Sequence, residues 1–215
     1  SGKGVALANL ITQAIRRDRL LMALTHFSPS LISLYQFGAG LMDRLAGSIT
    51  VLSSAILPAA SDFEARGERG RVIELLVRGT KYHALAAFGL LGFAALFANE
   101  LLVFWMGVPL PEAVLVLRLM ALGGVATAVG SCGQSVMVAL GKPRWGTISL
   151  ALGLGSTVIL YMTVGRRYDY AGLAGSVSSG LVLSQIFFMI GLRRVLQFRW
   201  GEVVGALLKP SLVLL

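Results

Sequence analysis

The stretch from Tyr35 to Phe63 reads YQFGAGLMDRLAGSITVLSSAILPAASDF. It is long enough to cross a bilayer as a helix, because about 20 apolar residues rising about 1.5 Å each span ~30 Å of hydrocarbon. Near its middle stand Asp43 and Arg44. A charge at the bilayer centre costs roughly 2.5–3.5 kcal/mol on insertion scales. A helix wholly surrounded by lipid would not carry two. The stretch is therefore expected inside a helical bundle, with both charges turned toward other helices or a wet cavity.

The remaining composition agrees with that setting. Of 215 residues, 56% are hydrophobic and 13% charged, against about 25% charged in a soluble domain. The mean hydropathy is +0.78. Apolar runs of about 20 residues alternate with short polar joints, which predicts an all-α, polytopic transmembrane bundle. The runs are continuous in polarity, which argues against an outer-membrane barrel.

About six complete spans and part of a seventh are predicted, over 5–27, 31–58, 82–105, 113–140, 146–164, 171–192 and a truncated 203–215. They form a single membrane-embedded unit, residues 1–215. Pro29 breaks the helix between the first two spans, and the second is expected to end at Pro58. The joint at 61–81 mixes Arg66, Arg69, Arg71, Arg78 and Lys81 with Val72, Ile73, Leu75, Leu76 and Val77, the pattern of a short interfacial helix. The chain begins at Ser1 and stops in an apolar run, and is expected to be a piece of a longer protein. Its start has no small-residue cleavage site after a short apolar core, so it does not read as a signal peptide.

Charge sets the expected orientation. The joints after the second, fourth and sixth spans are basic, and those after the first and third carry no Lys or Arg. Basic joints belong on the cytoplasmic side, which places the chain's start and the joints near 61–81, 141–145 and 193–202 there. The dissenter is the joint after the fifth span, with Arg166 and Arg167 on the expected outer side. The formal net charge of +9 is explained by this asymmetry. No interleaving of aromatic and basic residues makes a nucleic-acid platform, so nucleic acid is not an expected partner.

Reaction chemistry is mostly missing from the sequence. His26 and His83 stand without Cys, Asp or Glu at ligand spacing, so no metal is expected. Gly153-Leu154-Gly155-Ser156 lies inside an apolar run with no strand before it and no Lys-Ser/Thr after it, unlike a nucleotide loop. Ser131 and Ser135 have no base within helical reach, and Glu100, Glu112 and Asp169 sit near outer helix ends. Cys132 is the single cysteine and reads as a packing residue. No catalytic residue, no cofactor and no enzyme activity are expected. Small residues, such as Gly123, Gly124 and Gly130 in the fourth span and Gly172, Gly175 and Gly180 in the sixth, read as close helix packing.

What remains is charge at membrane depth. Arg16, Arg17, Arg19, Arg44 and Arg118 face Asp18 and Asp43, five against two, an excess of three positive charges. These seven are the candidate substrate-binding residues of a cationic lumen. Guanidinium groups suit phosphates because their forked donors match phosphate oxygens. The block Arg16–Arg19 has two readings: it marks the cytoplasmic interface, or it lines a water-filled lumen. Asp43 and Arg44 point about 100° apart on a helix, so each needs its own partner. Asp43 is expected to meet an arginine of the first span, and Arg44 to meet Asp18.

Several short motifs in order carry a resemblance. Asp18-Arg19-Leu20-Leu21 comes first, followed by an uncharged turn and then Tyr35-Gln36. The helix after it ends at Leu57-Pro58 with a Ser61-Asp62-Phe63 exit, and the turn Glu64-Ala65-Arg66-Gly67-Glu68-Arg69 follows. Ala139-Leu140-Gly141-Lys142-Pro143 and Gly172-Leu173-Ala174-Gly175 come later. Together they resemble the lipid-linked oligosaccharide flippases of the multidrug/oligosaccharidyl-lipid/polysaccharide exporter superfamily, over roughly residues 10–200. The departures are the doubled Arg16-Arg17 and Leu34 where the family has Gly before Tyr35. The resemblance implies helices seven to twelve of a 12- or 14-helix protein with part of the thirteenth, one lobe of a two-lobed inverted-V transporter. It also implies that Asp18 and Arg19 are luminal.

On that resemblance the expected activity is flipping of a lipid-(pyro)phosphate-linked glycan across the bacterial inner membrane by alternating access, without covalent chemistry. The expected partners are the lipid bilayer, the lipid-linked glycan and a missing N-terminal lobe of the same protein. Two alternatives stand beside it. A cation-coupled multidrug exporter of the same superfamily would hold lone acidic residues in its lumen. A membrane-embedded polysaccharide polymerase or ligase would need a large outer loop, and no outer joint exceeds roughly a dozen residues.

Overall fold

A computed structural model describes residues 28–197 and 201. Among them every regular element is helical. The predicted spans 5–27 and 203–215 lie outside the described residues.

The Tyr35–Phe63 stretch lies within one long helical run, Pro29–Ala65. Its first part, α1 (Pro29–Thr50), starts on Ser28, whose side chain accepts from Leu31 N at 3.4 Å, with Pro29 in the first turn. The run then tightens into a 3-10 segment, Val51–Ala55, and resumes as α2 (Ile56–Ala65). Pro58 therefore does not end the span, as the sequence reading expects. It falls in the first turn of a restarted helix, where a missing N–H costs nothing.

The stop comes at Gly67, which has φ +71°. Glu68 N reaches Phe63 O at 2.9 Å and Gly67 N reaches Glu64 O at 3.0 Å, the paired bonds of a Schellman cap. Helix α3 then runs unbroken through Arg69–Leu96. The expected interfacial helix at 61–81 is thus divided between the end of α2 and the first turns of α3. Its apolar residues Val72 and Leu76 are fully buried against the bundle rather than laid on a membrane surface.

The third predicted span is bent. After α3 the chain turns by 71° at Phe97 into α4 (Ala98–Met106). Helix α5 (Pro111–Ala139) follows and ends on a second Schellman cap, Lys142 N to Met137 O at 2.9 Å and Gly141 N to Val138 O at 3.0 Å. Helix α6 (Arg144–Thr163), a short 3-10 link at Gly165–Tyr168 and helix α7 (Asp169–Leu196) complete the described chain. The last three spans match their expected limits to within a few residues.

Four helical runs are long and apolar enough to cross a membrane: Pro29–Ala65, Pro111–Ala139, Arg144–Thr163 and Gly165–Leu196. The bent α3–α4 pair makes a fifth if it counts as one span. Large apolar side chains point outward from these helices, with Phe104, Leu122 and Ile159 all exposed. In water such surface would drive aggregation; hydrocarbon accepts it.

Helix α5 is the centre of the bundle. It packs on α1, α2, α3 and α7, and α6 packs on α7. The α6–α7 contact is close because it is built on small residues. A methyl group on Gly153 would stand 2.6 Å from Ser184 Cβ, and one on Gly180 would stand 2.8 Å from Gly153 O. Gly153, the first residue of the Gly153–Ser156 run, thus belongs to a packing seam, whereas Gly155 meets open space.

Candidate functional site

Two apolar clusters form the core, and a polar layer divides them. One cluster holds Ile49 on α1, Ala84 on α3, Ala128 on α5 and Val177 on α7. The other holds Ile56 on α2, Leu76 on α3, Cys132 on α5 and Phe188 on α7. In each case at least one buried polar residue lies between the two: Ser53, then Thr80 and His83, then Ser131, then Ser184 and Gln185. Burying a hydroxyl or amide without a partner costs about 1–3 kcal/mol on the scale of protein substitutions. A layer of six at one level therefore has to be hydrogen-bonded or to face polar space.

It does both. A cavity of about 470 Å³ opens beside the layer, walled by α1, the 3-10 segment, α2, α5, α6 and α7. Ser53, Ser131 and Gln185 belong to its wall, with Asp43 and Thr50 from one side and Thr127, Gln134 and Ser135 from α5. That volume lies in the range of small-molecule sites. It suits a head group rather than a single bare ion.

Three hydroxyls of this wall share one arrangement. Thr50 Oγ1 donates to Gly47 O at 2.7 Å, Thr127 Oγ1 to Gly123 O at 2.7 Å and Ser131 Oγ to Ala128 O at 2.7 Å. Each spends its hydrogen on its own helix and leaves oxygen lone pairs for the cavity. Gln185 adds an amide whose Oε1 has no hydrogen-bond partner among the described residues. That amide lies against Gly130, where a methyl group would stand 2.6 Å from Gln185 Cδ.

The charged candidates divide. Asp43 is in the cavity wall, and it takes part in a polar interaction of its own. Arg44, the next residue, places its guanidinium over the Trp105 ring on α4, 5.8 Å from the centroid. Arg118 donates from Nε to Ala95 O at 3.1 Å, satisfying one of the carbonyls that the end of α3 leaves open at the bend. Neither arginine joins the cavity wall. Arg16, Arg17, Asp18 and Arg19 lie outside the described residues, as do their expected pairings with Asp43 and Arg44. Among the described residues Asp43 is the one charged group of this cavity's wall.

The sequence reading overlooked the polar layer. Its signal was available: a Ser, a His, a Ser and a Gln each interrupt an apolar run. Only the packing shows that the four stand at one level. No group of three or more His, Cys, Asp or Glu among the described residues is placed to hold a metal ion. A second, more open groove of about 480 Å³ between α5, α6 and α7 is largely apolar and lined by residues such as Leu115, Leu160 and Tyr168.

Comparison with protein-family models, curated proteins and solved structures gave no match.

Proposed function

We propose that the chain forms one lobe of a transporter that moves a lipid-(pyro)phosphate-linked oligosaccharide across the bacterial inner membrane by alternating access, for polysaccharide export. The observation that carries this reading is a cavity with hydroxyl, amide and carboxylate groups in its wall, among helices of membrane-crossing length. Back-bonded hydroxyls present acceptors and two glutamines present amides, and sugar hydroxyls are donors and acceptors at once. The polar head crosses through this space while the lipid tail stays in the hydrocarbon.

In this reading the phosphate is met by Arg16, Arg17 and Arg19, with Arg44 and Arg118 holding the lobe together at α4 and at the α3 bend. The basic turns after α2 and α5 face the cytoplasm. The second lobe is supplied by the remainder of the protein. No covalent step is involved.

One observation favours a second reading, a cation-coupled exporter of small amphiphiles. A single carboxylate, Asp43, on an otherwise uncharged wall among the described residues suits such a protein. Full-length protein in reconstituted vesicles separates the two. The flippase reading predicts transfer of labelled lipid-linked glycan between leaflets. Failure of that transfer beside cation-driven dye efflux would establish the exporter instead.

A further inference from the structure

We propose that His83, with Ser53 and Ser131, is a proton-binding site that loads from the cavity. His83 is buried, 2% exposed, and does not itself line the cavity. Ser53 and Ser131 do.

The argument is a count of hydrogens. His83 Nδ1 lies 2.8 Å from Gly79 O, and His83 Nε2 lies 2.8 Å from Ser53 Oγ. Ser53 Oγ lies 2.9 Å from Ser131 Oγ, which lies 2.7 Å from Ala128 O. These are four contacts in series, and each needs one hydrogen. Both ends are carbonyl oxygens, which only accept. A neutral imidazole and two hydroxyls supply three hydrogens, so one contact is left without a proton. An imidazolium supplies the fourth, and then every contact is a hydrogen bond.

Proton uptake needs no movement of heavy atoms. In the neutral form Nδ1–H donates to Gly79 O, Ser53 donates to Nε2 and Ser131 turns its one hydrogen from Ala128 O to Ser53. A hydronium ion in the cavity gives its proton to Ser131 Oγ and becomes water. The Ser131 proton passes to Ser53 Oγ, and the Ser53 proton passes to Nε2. Ser131 then turns its new O–H onto Ala128 O. One O–H bond breaks and one forms at each hydroxyl, and the net change is one proton moved from cavity to imidazole.

Among the described residues nothing charged competes for this proton from the packed elements. Residues 51–58 carry no charge, and α5 carries none between Arg118 and its end at Ala139. Cys132, beside Ser131, is the one titratable side chain of that stretch, and it is buried with Sγ 3.7 Å from Leu76 O. On α3, Lys81 and Tyr82 are exposed, and Arg78 pairs with Glu74 at 2.6 Å. The carboxylate of the cavity wall, Asp43, is the one counter-charge in that wall among the described residues. A buried cation is costly without compensation. The fourth hydrogen bond and an anion in the cavity both lower that cost, so an anionic head group and a proton at His83 favour one another's binding. That coupling rests on the transport reading; the proton site does not.

The test is nitrogen-15 NMR of imidazole-labelled full-length protein in lipid nanodiscs. The 215-residue sequence holds two histidines, and His26→Asn leaves His83 as the one from it. Should that variant not fold, Ser53→Ala in the parent identifies the signal, because it shifts His83 alone. The expected result is an Nδ1–H tautomer at high pH that converts to imidazolium on acidification, with Ser53→Ala moving the midpoint to lower pH. An Nε2–H tautomer, no conversion to imidazolium on acidification, or a conversion indifferent to Ser53→Ala overturns the site. Glycolipid transfer lost altogether with a normal titration overturns the transport reading alone.

Discussion

At the scale of single residues, neighbours in sequence have different work. Asp43 and Arg44 are adjacent, yet one lines the cavity and the other lies over Trp105. Asp43→Asn should lower translocation about tenfold, the effect of a loss near 1.4 kcal/mol. Arg44→Gln removes a cation–π contact worth about 0.5–1 kcal/mol at an exposed site and should leave translocation within about twofold. Rates in vesicles, normalised to folded protein, check both. Gly130 is the third residue with a sharp expectation. Gly130→Ala drives a methyl into the Gln185 amide, and overpacking of that kind costs about 1–3 kcal/mol. Thermal unfolding in detergent should show the loss, and Gly89→Ala, which meets open space, should not. The sequence made Asp43 and Arg44 visible because charges in an apolar run are conspicuous. It could not separate their roles, because which way each points depends on α4 and α5 rather than on the run itself.

At the scale of elements, packing decides where the spans begin and end. The helical period of the last three spans was legible because apolar runs bounded by Gly-Lys-Pro and Gly-Arg-Arg leave little choice. The α3–α4 bend at Phe97 was not, since neither proline nor glycine marks it; Arg118 from α5 holds the carbonyl of Ala95 there. Pro58 misled in the other direction, because the 3-10 segment before it restarts the helix. The six-membered polar layer was hidden for a similar reason. Each polar residue looks incidental in its own helix, and only the alignment of four elements joins them. The α6–α7 seam gives a direct contrast at this scale. Gly153→Ala meets Ser184 and Gly155→Ala meets nothing. The first should lower the unfolding temperature, and the second should hold or raise it by relieving the helix of a glycine, worth roughly 0.5–1 kcal/mol.

At the scale of the whole molecule, the up-and-down run of helices puts the turns at 66–68 and 140–143 at one end and the turn at 107–110 at the other. The charge rule assigns the first pair to the cytoplasm. Cys132 is buried, so a thiol introduced at an exposed turn is reported against a quiet background. Lys142→Cys should react with a membrane-impermeant maleimide only after the cytoplasmic face is opened, and Val108→Cys should react in intact cells. The reverse pattern would invert the orientation.

On the proposed function, the glycan head passes through the cavity beside the polar layer. Gln134 lines that cavity, whereas Ile148 on α6 is exposed and lies outside its wall. The direct measurement is thiol labelling of Gln134→Cys and Ile148→Cys, each in full-length protein with Cys132→Ala, with and without lipid-linked oligosaccharide. The account predicts that the glycolipid slows labelling at 134 and leaves 148 unchanged, while the bare lipid carrier does neither. Equal labelling rates at 134 with and without the glycolipid would contradict it.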